Sequence, residues 1–160
     1  MRDGSELTTG ELLVVTAVAA EADAIRAGLR HDGVRVEVVG VGPAVAAATT
    51  TRLLVHAEAR GRPYRAVVNA GIGGGFADRA PVGATVLADR CVAADLGAET
   101  PEGFLPLDEL GFGRTAFPVD AGLLAFLRNA LPSAVVGAVL TVSTVTGSAG
   151  SAEALRDRYP

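Results

Sequence analysis

Glu21 stands at a strand-to-helix junction, between the apolar run Leu12–Val18 and the amphipathic stretch that follows it. A carboxylate in the first turn of a helix has two readings. It complements the positive end of the helix dipole, or it serves as an acid or base at the mouth of a sheet. A second candidate is Val67–Phe76, V-V-N-A-G-I-G-G-G-F, an apolar strand that ends in a glycine cluster. Gly71, Gly73, Gly74 and Gly75 lack a Cβ, so positive φ and a close approach to a ligand are expected there. The alternative is a plain strand-to-loop turn. The remaining reactive types offer less. His31 and His56 read as surface or satisfied residues. Cys91 is expected as a small packed residue, with no neighbouring His to activate it. Asp89 and Arg90 read as an ion pair or a solvated pair.

Several chemistries are excluded by spacing. The dinucleotide fingerprint G-x-G-x-x-G fails twice, with Phe76 in the third glycine place after Gly71 and Gly73, and Val45 there after Gly40 and Gly42. There is no P-loop, and no His/Cys cluster suggests a metal site. Ser148 is not a nucleophile elbow, because Thr146 takes the first glycine place of G-x-S-x-G.

The elements that must carry these residues alternate. Leu12–Val18 suits a strand covered on both faces. Ala19–Arg30 reads as a helix with Ala22, Ile25 and Leu29 on one stripe. Val34–Val39 alternates and reads as a strand near an edge. Pro43 is placed to open a helix over Ala44–Arg60. The Val67 strand follows, then a strand region over Gly83–Ala94. Asp95–Pro118 holds three of the eight prolines and three of the five Phe residues, and is expected to be an ordered excursion covering a site or a subunit contact. Asp120 is the expected cap of a helix over Ala121–Leu131, with Leu123, Leu124 and Leu127 inward. Ala134–Val145 is the last strand, running into Thr144-Val145-Thr146-Gly147-Ser148. Ser151 is the expected cap of a helix over Ala152–Tyr159. Strand and helix in alternation predict an α/β fold, a single domain over 11–160 with a central mixed, mostly parallel sheet flanked by helices.

The bulk numbers agree. The 160 residues suffice for one domain with a real core. Hydrophobic residues make up 49% and aromatics only 4%, so Ala, Val and Leu must build that core. A net charge of −4 argues against nucleic acid or an anionic membrane as partner. One cysteine allows no intrachain disulfide and points to a reducing cytoplasm. Leu12–Ala20 is too short to span a bilayer, and acids rather than bases precede it, so it is not a signal peptide. Residues 1–10 read as a polar, flexible tail.

The order of four segments resembles a known superfamily. They are T-A-V-A-A-E-A-D-A-I (Thr16–Ile25), V-G-V-G-P-A-V-A-A-A (Val39–Ala48), the N-A-G-I-G-G-G-F turn and the P-V-G-A-T-V-L-A-D strand. Together they look like the nucleoside phosphorylases and nucleosidases, especially the 5′-methylthioadenosine/S-adenosylhomocysteine nucleosidases. A-D-R-C-V-A-A-D-L-G-A-E-T-P-E-G-F (Ala88–Phe104), L-D-E-L-G-F-G (Leu107–Gly113) and T-V-S-T-V-T-G (Thr141–Gly147) are similar to the futalosine hydrolases of actinobacteria. The resemblance implies cleavage of the N-glycosidic bond of futalosine, with release of hypoxanthine, in a route to menaquinone, and with neither cofactor nor metal. It implies that Glu21 positions and deprotonates the attacking water. It implies that Thr144, Val145 and Thr146 hold the purine, and that Ile72 and Gly73 form the turn beneath the ribose and base. Val18-Ala19-Ala20 offers none of the glycine and arginine that phosphorylases use for phosphate, so hydrolysis is expected over phosphorolysis.

Two departures from the nucleosidase pattern stand out. The ribose-binding glutamate of an M-E motif and the group that activates the leaving base both lie beyond the helix that ends at Tyr159-Pro160, so a C-terminally incomplete chain with weak or no turnover is expected. Val145 stands where those enzymes stack an aromatic residue, and Ile72 where they have Ser, which points to a different substrate. The alternatives are a methylthioadenosine-type purine nucleosidase or a non-catalytic nucleoside-binding fragment. A homo-oligomer is expected from the resemblance and from the apolar excursion.

Overall fold

The computed structural model describes residues 10–159. The polar tail expected over 1–10 lies, except for Gly10, outside the described residues. The chain divides into two compact units, Met1–Gly73 and Gly74–Pro160.

The first unit is built on β1 (Leu12–Thr16), with α1 (Ala19–Gly28), β2 (Val34–Val38), α2 (Pro43–Ala59) and β3 (Ala66–Asn69). Its sheet has the order β2-β1-β3, and both pairings are parallel. β1 is therefore central, and Leu13, Val14, Val15 and Thr16 are all buried. Successive side chains of a strand point to opposite faces. Leu13 and Val15 pack with Val39 against Ala46, Leu53 and Leu54 of α2. Val14 packs with Ala22 and Val36 against Ile25 and Val68. Helices thus cover both faces, which is why the run L-L-V-V-T carries no polar alternation. β2 lies at the edge, as its alternating pattern predicts. α2 starts at Pro43, after Gly42 at φ 97°, a left-handed conformation that favours glycine.

The second unit holds β4 (Val86–Ala93), β5 (Gly97–Thr100), β6 (Gly103–Pro106), β7 (Ala116–Pro118), α3 (Ala121–Ala130), β8 (Val135–Thr141) and α4 (Ala149–Arg158). β4 lies between β8, to which it is parallel, and β7, to which it is antiparallel. The register of β4 against β8 shifts between Ala88 and Arg90, and Asp89 and Arg90 pair with each other at 3.3 Å. The Asp95–Pro118 excursion is ordered and resolves into a β5-β6 hairpin and β7. The Thr115 hydroxyl, almost fully buried, donates to Asp108 Oδ1 at 2.8 Å and pins the loop between β6 and β7. Asp120 caps α3, accepting from Leu123 N–H at 2.8 Å.

Three expectations need correction. Ser148, not Ser151, caps the last helix: its side chain accepts from Ser151 N–H, and α4 begins at Ala149. Ala149 and Gly150 sit in the first turn, where a glycine interrupts nothing. Cys91 is exposed rather than packed. None of Gly71, Gly73, Gly74 and Gly75 has positive φ.

Candidate active site

β1 ends at Thr16, and two residues later the chain turns into α1. Val18 at the helix N-cap has no side-chain acceptor, so the first amides need another partner. Glu21, at the third helical position, supplies it. Its Oε2 accepts from Ala17 N–H at 3.0 Å and from Val18 N–H at 3.3 Å. Its Oε1 accepts from Ile72 N–H at 2.9 Å, across 51 residues of sequence. One carboxylate therefore joins the start of α1 to the glycine turn that follows β3. The Ile72 amide, ahead of those of Val18 and Ala17, holds the carboxyl below its ordinary range, against a smaller opposing effect of burial.

A carboxylate has about four lone-pair positions. Oε2 spends two on backbone amides and Oε1 spends one, so Oε1 retains a position for an outside donor. A Cβ built on Gly71 would stand 2.6 Å from that same Oε1. Gly71 is thus required for space, not for an unusual φ. Gly75 is required on similar grounds, since a Cβ there would collide with the Ala80 carbonyl. Gly73 has open space at its Cβ position, and the Ile72 side chain is almost fully exposed.

The remaining predicted residues lie in the second unit. Thr144, Val145 and Thr146 follow β8 and line a cavity of about 250 Å³ with Asp95, Ser151 and Arg158. Val145 is 97% exposed, and no other residue among those described hydrogen-bonds to the three. A larger cavity of about 360 Å³ sits where α3 turns into β8 and contains none of the predicted residues. The structure thus brings Glu21 to Ile72, and keeps Thr144, Val145 and Thr146 together around one cavity.

Sequence reasoning missed Asp95. It stands just beyond the end of β4, and its Oδ2 accepts from Ser143 N–H at 2.5 Å, just beyond the end of β8. The available signal was a carboxylate at the carboxyl end of a parallel strand, where ligands bind in open α/β sheets. His31 and His56 are exposed. Among the described residues, no group of three or more His, Cys, Asp or Glu could hold a metal ion.

The family model described as Phosphorylase superfamily matches residues 6–160. The futalosine hydrolase of Streptomyces coelicolor is 47% identical over 93% of this chain and 70% of its own length. That of Acidothermus cellulolyticus is 42% identical over 92% of this chain and 66% of its own length. The chain therefore spans about two thirds of these relatives. In the solved structures, an S-adenosylhomocysteine nucleosidase from Streptococcus pyogenes, in complex with 5-methylthiotubericidin, matches at TM-score 0.74 and 18% identity, over 94% of this chain and 70% of that one. A Helicobacter pylori MTAN mutant with 5′-methylthioadenosine in its active site matches at TM-score 0.71 and 16% identity, over 94% of this chain and 72% of that one. At these identities the structures bear out the expected α/β, nucleoside phosphorylase-like fold and nothing finer. The match along almost the whole chain and the two closely similar relatives place this chain in the phosphorylase superfamily and, within it, among the futalosine hydrolases.

Proposed function

We infer that this chain is an N-glycosyl hydrolase that cleaves futalosine to hypoxanthine and dehypoxanthinyl futalosine, a step toward menaquinone. The observation that carries the chemistry is the Glu21 carboxylate, fixed by three backbone amides with one lone-pair position left on Oε1. Cleavage of an N-glycosidic bond builds positive charge on the ribose ring. A carboxylate that is fully ionised at neutral pH stabilises that charge without reorganising. Its lowered pKa makes it a weak base. That is sufficient here, because water adding to an oxocarbenium-like carbon becomes strongly acidic as the bond forms. Oε1 orients the water through its open lone pair and receives the proton late.

In this reading Ile72 and Gly73 form the floor beneath the ribose and base. The exposed Ile72 side chain and the unfilled space at Gly73 support that role. Thr144, Val145 and Thr146 hold the purine, supported by the cavity they line and by two Thr hydroxyls with no partner among the described residues. We propose that the enzyme works in the cytoplasm as a homo-oligomer. Among the described residues no helix is long and apolar enough to cross a membrane, and Phe112, Phe117 and Phe126 are more than half exposed, as a surface buried between copies would be. Light scattering after gel filtration measures the oligomeric state directly.

A substrate panel read by liquid chromatography tests the reaction. Futalosine should yield hypoxanthine, and methylthioadenosine should yield little adenine. Adenine release that outpaces hypoxanthine release would move the assignment to a methylthioadenosine-type nucleosidase. Release of neither base, both by this chain and by one extended to the length of its relatives, would refute the hydrolytic reading.

A further inference from the structure

The contact that orders the start of the purine-holding segment comes from outside it. β4 and β8 are parallel neighbours, so their chains leave the sheet at the same end. Ala94 N–H donates to the Thr141 carbonyl at 2.9 Å. One residue on, Asp95 accepts from Ser143 N–H at 2.5 Å. Beyond that contact no hydrogen bond among the described residues reaches Thr144, Val145 or Thr146. The next anchor is the Ser148 cap of α4. The far end of α4 is tied to the residue beside Asp95: Arg158 Nη1 and the Tyr159 hydroxyl both donate to the Ala94 carbonyl, at 3.3 and 3.1 Å. Two consecutive residues thus grip the 143–159 stretch at both ends.

We propose that Asp95 is a positioning residue for the purine: by pinning the Ser143 backbone, its carboxylate sets the orientation in which Thr144, Val145 and Thr146 meet the base. The proposal rests on the reading that those three residues hold the purine. A hydrogen bond to an ionised acceptor is roughly twice as strong as a neutral one. The Ser143 amide, the largest influence on it, holds the Asp95 carboxyl below its ordinary range, so the charge is present at neutral pH. Asp95 acts through Ser143 and has no role in the bond cleavage itself.

The test is an amide NMR titration of the protein with hypoxanthine, in the wild type and in Asp95→Leu, Asp95→Asn and Tyr159→Phe. Hypoxanthine should move the Thr144–Thr146 amides in the wild type. Asp95→Leu, which removes the acceptor, should raise the hypoxanthine Kd about tenfold or more. Asp95→Asn keeps an acceptor oxygen without the charge and should raise it only about two- to threefold. Tyr159→Phe loosens the other end of α4, so it should lower Tm and leave Kd unchanged. A wild-type Kd in Asp95→Leu, with the Thr144–Thr146 amides still responding, overturns the positioning role alone. If hypoxanthine moves none of those amides in the wild type, the purine-holding reading fails and the proposal falls with it. Should Asp95→Leu lose its dispersed spectrum, Asp95→Asn decides: the expected rise in Kd with a displaced Ser143 amide supports the role, and an unchanged Kd or an unmoved Ser143 amide overturns it.

Discussion

The two ends of strand that matter most here are held in opposite ways. At the end of β1, a side chain is gripped by the backbone: three amides close on Glu21, and the strand beneath is buried on both faces. At the end of β8, a side chain grips the backbone: Asp95 holds Ser143, and the residues beyond it stand exposed over a cavity. The first arrangement fixes one charge in one place, as a reacting centre requires. The second leaves hydroxyls and an apolar side chain unpartnered on a short tethered segment, which suits a surface that closes on a flat ring. On the proposed reading, preorganisation is concentrated where charge would develop.

The contrast in burial can be broken with matched truncations, followed by chemical denaturation. Leu13→Ala should cost about 2–5 kcal/mol, since Leu13 is wholly buried between β1 and α2. Val139→Ala, on a strand of the second unit and 41% exposed, should cost no more than about 1 kcal/mol. Equal losses would mean that the two sheets are equally packed. Gly71→Ala tests the carboxylate's fit. The new methyl meets Oε1, so kcat should fall by about ten- to a hundredfold, the order expected for misplacing a catalytic group. Unchanged turnover would show that Glu21 can move without consequence. Ser148→Ala removes the cap between the Thr144–Thr146 segment and α4, and should cost about 1 kcal/mol of stability.

The smallest effect is an acid limb. The folded pKa of Glu21 lies below its unfolded value. Its stabilisation is therefore fully present above the unfolded pKa, about 4.3, and is lost as pH falls through the lower folded one. In Glu21→Gln, acid denaturation monitored by circular dichroism should lose that component. An identical acid transition in both proteins would mean that the three amides do not favour the ionised form.

The sequence showed the first arrangement far better than the second, for a physical reason. L-L-V-V-T followed by A-x-x-A-x-x-I writes a buried strand and an inward helix stripe in local periodicity, and Glu21 falls at their junction. The role of Gly71 was legible only in part: a glycine was needed, but for a carboxylate arriving from 50 residues upstream rather than for positive φ. Asp95 was illegible, because its partner lies 48 residues away and becomes a neighbour only once β4 and β8 pair in parallel. The β5-β6 hairpin hid inside a Pro- and Gly-rich stretch whose four-residue strands carry too few alternations to register. Ser148 and Ser151 are equally suited to capping, and the choice is settled only by the backbone: Ser148 accepts from Ser151 N–H, with Ala149 and Gly150 already inside the first turn.

The most direct measurement is hypoxanthine release from futalosine at saturating substrate, wild type against Glu21→Gln, each in this chain and in one extended to the length of its relatives, with Tm recorded for all. The amide keeps the shape but loses the charge, and offers one acceptor oxygen to three N–H donors. A fall in kcat of about 10²–10⁴-fold with KM nearly unchanged is predicted. Turnover within about threefold of wild type, a difference of under 1 kcal/mol in barrier, would contradict Glu21 as the group that handles the water.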